Sequence, residues 1–161
     1  EMWWDHLATE LGTGVEGAAL EAAVTPAAAG LKARASTEVD PAAMDVLQYL
    51  REKRYDLGVV SNWSTDLPEY LDAHGLSRFF DAVIASEAVG AAKPHREIFL
   101  RALSATGATA GRSVHVGDDY WADVVGAREL GIRPVLIDRF GDSSRDDCVT
   151  LRDLAGLRKL L

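Results

Sequence analysis

From Asp40 to the C-terminus, short apolar runs alternate with segments of helical periodicity. That alternation constrains the chain more than any other feature. Leu57-Gly-Val-Val60, Ala82-Val-Ile84, Ser113-Val-His-Val116 and Pro134-Val-Leu-Ile137 read as buried strands. Helices are predicted between them: one opening at Asp40-Pro41, then residues 67–73, 97–105 and 121–130. A last one opens at the capping-box-like Thr150-Leu-Arg-Asp153. Strand–helix alternation favours a parallel sheet with helices on both faces, because each crossover lays a helix against the sheet. Residues 1–36 differ: they are alanine-rich and lack a strand-like run. The expected organisation is a helical appendage over 1–36 and an α/β core over 37–161.

Composition narrows the function classes. The 161 residues are 48% hydrophobic and 26% charged, which supplies a normal core. A net charge of -8 repels phosphate backbones and argues against nucleic acid as a partner. It leaves room for a small phosphorylated ligand in a local cationic pocket. Cys148 is the single cysteine, so neither an intrachain disulfide nor a cysteine zinc site can form. No apolar run reaches membrane-spanning length, and a cytoplasmic setting is expected.

In open α/β sheets, ligands gather at the carboxyl ends of the strands. Ser61-Asn62 follows the first apolar run; hydroxyl and amide groups there can hold a phosphate oxygen, although both residues are also common in plain turns. Lys93-Pro94 follows the second. With 4 lysines against 13 arginines, a lysine at that point is consistent with a need for a compact ammonium, or with a solvated loop. Gly117-Asp118-Asp119-Tyr-Trp-Ala-Asp123 follows the third. Three carboxylates within six residues repel unless a cation offsets them. Hard oxygen donors of this kind suit Mg²⁺. Each acid could instead serve the helix start: Asp118 and Asp119 as caps, Asp123 as a first-turn acid. Trp3, Trp4 and Trp121 read as packing residues, with Tyr120 and Trp121 also candidates to line a substrate entrance. His74 and His115 read as a helix-end and a strand residue, not as ligands, and the polar loop 139–147 suggests nothing catalytic.

Taken together, Leu57-Gly-Val-Val-Ser61-Asn62, Lys93-Pro94 and Val116-Gly-Asp118-Asp119-x-x-x-Asp123-x-x-Gly126-Ala127 resemble the second, third and fourth motifs of the haloacid dehalogenase-like (HAD-like) superfamily. Residues 1–36 resemble, less specifically, the end of its helical cap. The resemblance implies a Rossmann-like core and a Mg²⁺-dependent phosphatase of a small phosphorylated metabolite. It implies that Ser61, with Asn62 beside it, binds the phosphoryl group and that Lys93 neutralises its charge. It gives Asp118 to Mg²⁺, has Asp119 or Asp123 support the metal shell, and lets Asp123 orient Lys93. The superfamily also holds metal-independent 2-haloacid dehalogenases; the acid cluster favours the phosphatase side.

One motif is missing. The superfamily's first strand ends in Asp-x-Asp, whose first aspartate attacks phosphorus to form an aspartyl-phosphate. No Asp-x-Asp occurs in this chain. The resemblance places that strand centrally, between the strands carrying Ser61 and Asp118. Unpaired backbone groups there would cost about 1–3 kcal/mol each if buried. Three remedies are open: an N-terminal piece on a longer or separate chain, a swapped segment of a second copy, or direct pairing of the flanking strands. The chain alone is expected to be inactive. A non-catalytic binding or assembly protein is the alternative.

Overall fold

The computed structural model describes residues 39–141 and 145–161. The expected cap remnant, with Trp3 and Trp4, lies outside them. Asp40 opens the first helix, α1 (Ala43–Glu52), by accepting a 2.8 Å hydrogen bond from Ala42 N. The core continues with β1 (Gly58–Ser61), α2 (Leu67–Ala73), β2 (Ala82–Ala85) and α3 (Ser86–Val89). Then come α4 (Arg96–Thr106), β3 (Val114–Gly117), a π-helical turn (Tyr120–Val125) and α5 (Gly126–Glu129). β4 (Arg133–Ile137), β5 (Val149–Leu151) and α6 (Leu157–Leu160) complete it. No helix of the described residues is long and apolar enough to cross a membrane.

All strand pairings among the described residues are parallel. β1 pairs with β2, setting Ser61 opposite Ala85, while β4 pairs with both β3 and β5. The result is a two-stranded sheet and a three-stranded sheet; β1 and β3 are not paired with each other. Direct pairing of the two strands flanking the expected gap is therefore not how this chain is arranged.

Two helices hold the halves together. On one face, α1 sends Met44 and Leu47 into the cluster around Leu67, Leu71 and Phe79, and Val46 and Leu50 into the cluster around Val135 and Leu157. On the other face, Ile98 and Phe99 of α4 pack with Val60, Ile84, Ala127 and Ile132. Strand alternation explains the division: Val59 and Val83 face one layer, Val60 and Ile84 the other. Val114 and Val116 of β3 likewise face the α1 side, so His115 and Gly117 point to the opposite side.

Two elements depart from the sequence reading. The helix expected over 121–130 begins as a wider π turn and becomes α-helical only at Gly126. The helix expected to open at Thr150 starts later. Val149-Thr150-Leu151 instead extends the sheet beside β4, and Asp153 caps the following turn by accepting from Gly156 N at 3.0 Å. Thr is β-branched and suits an edge strand, and three residues are too few for periodicity to reveal one.

Candidate active site at the strand carboxyl ends

The loops after β1 and β2 are clasped to each other twice. Asn62 Nδ2 donates to Lys93 O at 3.0 Å, and Lys93 N donates to Asn62 Oδ1 at 2.7 Å. One residue on, Trp63 N donates to Ser86 Oγ at 3.1 Å while that hydroxyl donates to Trp63 O at 3.2 Å. The Asn62 amide is thus spent on positioning Lys93. Ser61 sits at the tip of β1, partly buried, and its hydroxyl has no hydrogen-bond partner among the described residues. The peptide between Lys93 and Pro94 is cis.

Lys93 reaches across to the other half-sheet. Its Nζ lies 2.6 Å from Asp123 Oδ1, with the side chains 12% and 3% exposed. His115 Nε2 lies 2.8 Å from the same oxygen, and Asp119 N donates to Asp123 Oδ2 at 3.0 Å. Burial alone would push the Asp123 carboxyl up. The hydrogen bond from His115, together with the charge and hydrogen bond of Lys93, outweighs burial and brings it down to about 2. Asp123 is therefore a buried, ionised group with all its principal donors supplied by the chain.

Two glycines make this arrangement possible. A Cβ on Gly117 would collide with the Asp123 carboxyl. A Cβ on Gly126 would lie 2.8 Å from the Phe99 ring and 2.9 Å from the Pro94 backbone. Gly126 therefore lets the helix come close enough for the Lys93 segment to meet Asp123.

The other two acids are placed differently. Asp119 is exposed, and its Oδ1 accepts from Ala122 N at 2.8 Å, capping the π turn. Asp118, directly after β3, is exposed, and no hydrogen bond or ion pair engages it among the described residues. Beside it a cavity of about 280 Å³ is lined by Tyr120, Leu136, Ile137, Asp138, Arg139 and Phe140. Trp121 packs edge-on against Tyr120 at 5.4 Å.

Among the described residues, no three His, Cys, Asp or Glu side chains converge as a ready metal cage. The donor chemistry nevertheless fits Mg²⁺. That ion typically takes one or two carboxylates and keeps several waters. The unengaged oxygens of Asp118, at a strand tip beside a cavity, meet that need.

His115 is the residue that sequence reasoning undervalued. It does sit in a strand, as expected, but it also touches Asp123. The signal was present in the alternation: Val114 and Val116 share one face, leaving a histidine and a space-making glycine together on the other.

A model of haloacid dehalogenase-like hydrolases matches residues 1–131. The chain belongs to that family. It is 35% identical over 121 residues to the glyceraldehyde 3-phosphate phosphatase of Methanothermobacter thermautotrophicus, covering 70% of this chain and 54% of that protein. It is 34% identical over 99 residues to the ribulose-1,5-bisphosphate 5-phosphatase of Halopiger xanaduensis, covering 61% and 41%. Among solved structures, a HAD phosphatase from Thermococcus onnurineus superposes with a TM-score of 0.74 at 35% identity, covering 76% of this chain and 58% of that one. The resemblance is to the phosphatase type. The chain spans about half the length of these curated relatives.

Proposed function

We propose that this chain is the larger, C-terminal part of a Mg²⁺-dependent cytosolic phosphatase acting on a small phosphorylated metabolite through an aspartyl-phosphate. The observation that carries the reading is the position of Lys93. Its ammonium is held by Asp123, the acid that follows β3, while its backbone is clasped to Asn62 after β1, and neither the Ser61 hydroxyl nor the Asp118 carboxylate has a partner among the described residues. Phosphoryl transfer requires mainly positioning and charge neutralisation. The Ser61 hydroxyl donates to a phosphoryl oxygen, and Lys93 offsets the charge of the phosphoryl group and of the attacking carboxylate. Asp118 would hold Mg²⁺, with Asp119 or Asp123 supporting its shell, and the ion would supply positive charge to offset that of the phosphoryl group. The relatives named for three- and five-carbon sugar phosphates support a substrate of that size.

The attacking aspartate comes, on this reading, from a segment outside these residues. Among the described residues β1 is paired only with β2 and β3 only with β4, and a strand bearing it would pair at their remaining edges, from a longer or separate chain or from a second copy. The 161-residue chain alone is then inactive.

The test joins intact mass of the natural protein to turnover of an aryl phosphate with Mg²⁺. A longer chain or a co-purifying N-terminal piece, with turnover abolished in Asp118→Ala, is expected. A natural species matching this chain alone, with no turnover and no Mg²⁺-dependent rise in melting temperature, overturns the reading and leaves a binding or assembly role.

A further inference from the structure

We propose that His115 is a positioning residue: its imidazole fixes the Asp123 carboxylate and, through it, the place of the Lys93 ammonium. The role rests on the phosphatase reading and adds to it a residue that touches neither substrate nor metal. A carboxylate only accepts hydrogen bonds, so the 2.8 Å contact requires the proton on His115 Nε2. The torsion that turns an aspartate carboxylate is soft and broad. Here it is held from both ends: His115 donates to Oδ1 and Asp119 N donates to Oδ2. With the carboxylate plane set, Oδ1 presents one remaining direction to Lys93 Nζ, at 2.6 Å.

His115 is itself held. Its ring meets Phe99 edge-on, with centroids 5.0 Å apart and planes at 83°. Phe99 is 1% exposed, within the core shared by the two half-sheets. Gly117, two residues along the same face, leaves the room in which the Asp123 carboxyl turns toward the histidine. Lysine has four rotatable bonds and no fixed geometry of its own. Its precision has to come from its partner, and its partner's from a group on a rigid strand. His115 on β3 is that group.

The kinetic test uses full-length protein and an aryl phosphate with Mg²⁺, comparing wild type with His115→Phe and His115→Gln. Misplacement of a charge by about an ångström costs up to about 100-fold, so kcat is expected to fall roughly 10- to 100-fold in His115→Phe with KM little changed. His115→Gln, whose amide can still donate to Oδ1, is expected to recover most of that loss. A packing role alone would not give the glutamine rescue, because the phenylalanine fills the ring's space better. Unchanged kcat in His115→Phe, or equal losses in both variants, overturns the proposal. A second readout needs no turnover: NMR of the ¹⁵N-histidine-labelled full-length protein should show a His115 imidazole N–H protected from solvent exchange. Free exchange of that proton in the wild type overturns the proposal even if the variants fail to fold. The two failures separate. Wild-type protein that turns over no aryl phosphate ends the phosphatase reading, whereas wild-type turnover indifferent to His115→Phe ends the positioning role alone.

Discussion

Two sets of charges stand a few residues apart after β3 and are treated in opposite ways. Asp123, with Lys93 and His115, is buried and satisfied by the chain's own donors. Asp118 is exposed, with no partner among the described residues, and Asp119 spends one oxygen on a helix cap. The first set is preorganised before any ligand arrives; the second is left in water. The difference shows that three acids in one motif need not form one functional unit. Proximity in sequence grouped them, whereas burial and partners separate them.

The sharpest way to break that contrast is Asp123→Ala. It leaves the Lys93 ammonium and His115 without the group both face. Removing one partner of a buried pair costs about 3–5 kcal/mol, read as a lower urea midpoint. A loss below about 1 kcal/mol would show that the cluster is not held as tightly as its geometry implies.

Acid titration of the metal-free chain should show the next largest effect. Asp123 is depressed from 3.8 to about 2 in the folded state. A depressed carboxylate contributes stability that is fully present above its unfolded pKa and disappears as pH falls through the folded one. The window runs from about pH 4 down to about pH 2, and the full shift is worth about 2 kcal/mol. Denaturant titrations at stepped pH measure it, and the corresponding part of the acid limb should be absent in Asp123→Asn.

The smallest effect is expected for Asp118→Ala. An exposed residue without partners should change stability by no more than about 0.5 kcal/mol. A cost comparable to that of Asp123→Ala would erase the contrast between the two sets.

Much of the fold was legible because its signals are local. The four apolar runs became β1 to β4 within a residue or so at their ends, and Gly107 closes α4 in the left-handed conformation, φ 67°. β5 was hidden because Thr150 and Asp153 also fit a helix start, and only pairing with β4 decides for a strand. The π turn was hidden because its residues keep helical composition while the wider coil accommodates a buried aspartate. At the site, Ser61, Lys93 and the acids were identifiable by type and order. Their division into a satisfied cluster and an open pair was not, because it depends on Gly117, Gly126 and Phe99 meeting in space. His115 was overlooked for the same reason.

The reciprocal bonds between Asn62 and the Lys93 backbone have a further consequence. Through them a side-chain amide imitates a peptide unit, so the β1–β2 ladder is in effect prolonged past its last paired residues, Ser61 and Ala85. The lysine is thereby registered against β1 itself and not at the end of a free tether. The stretch between Val89 and Lys93 becomes a detour whose length is uncoupled from the position of the charge. A change of length there is expected to alter what the protein presents at its rim while the two Asn62 bonds keep the ammonium in place.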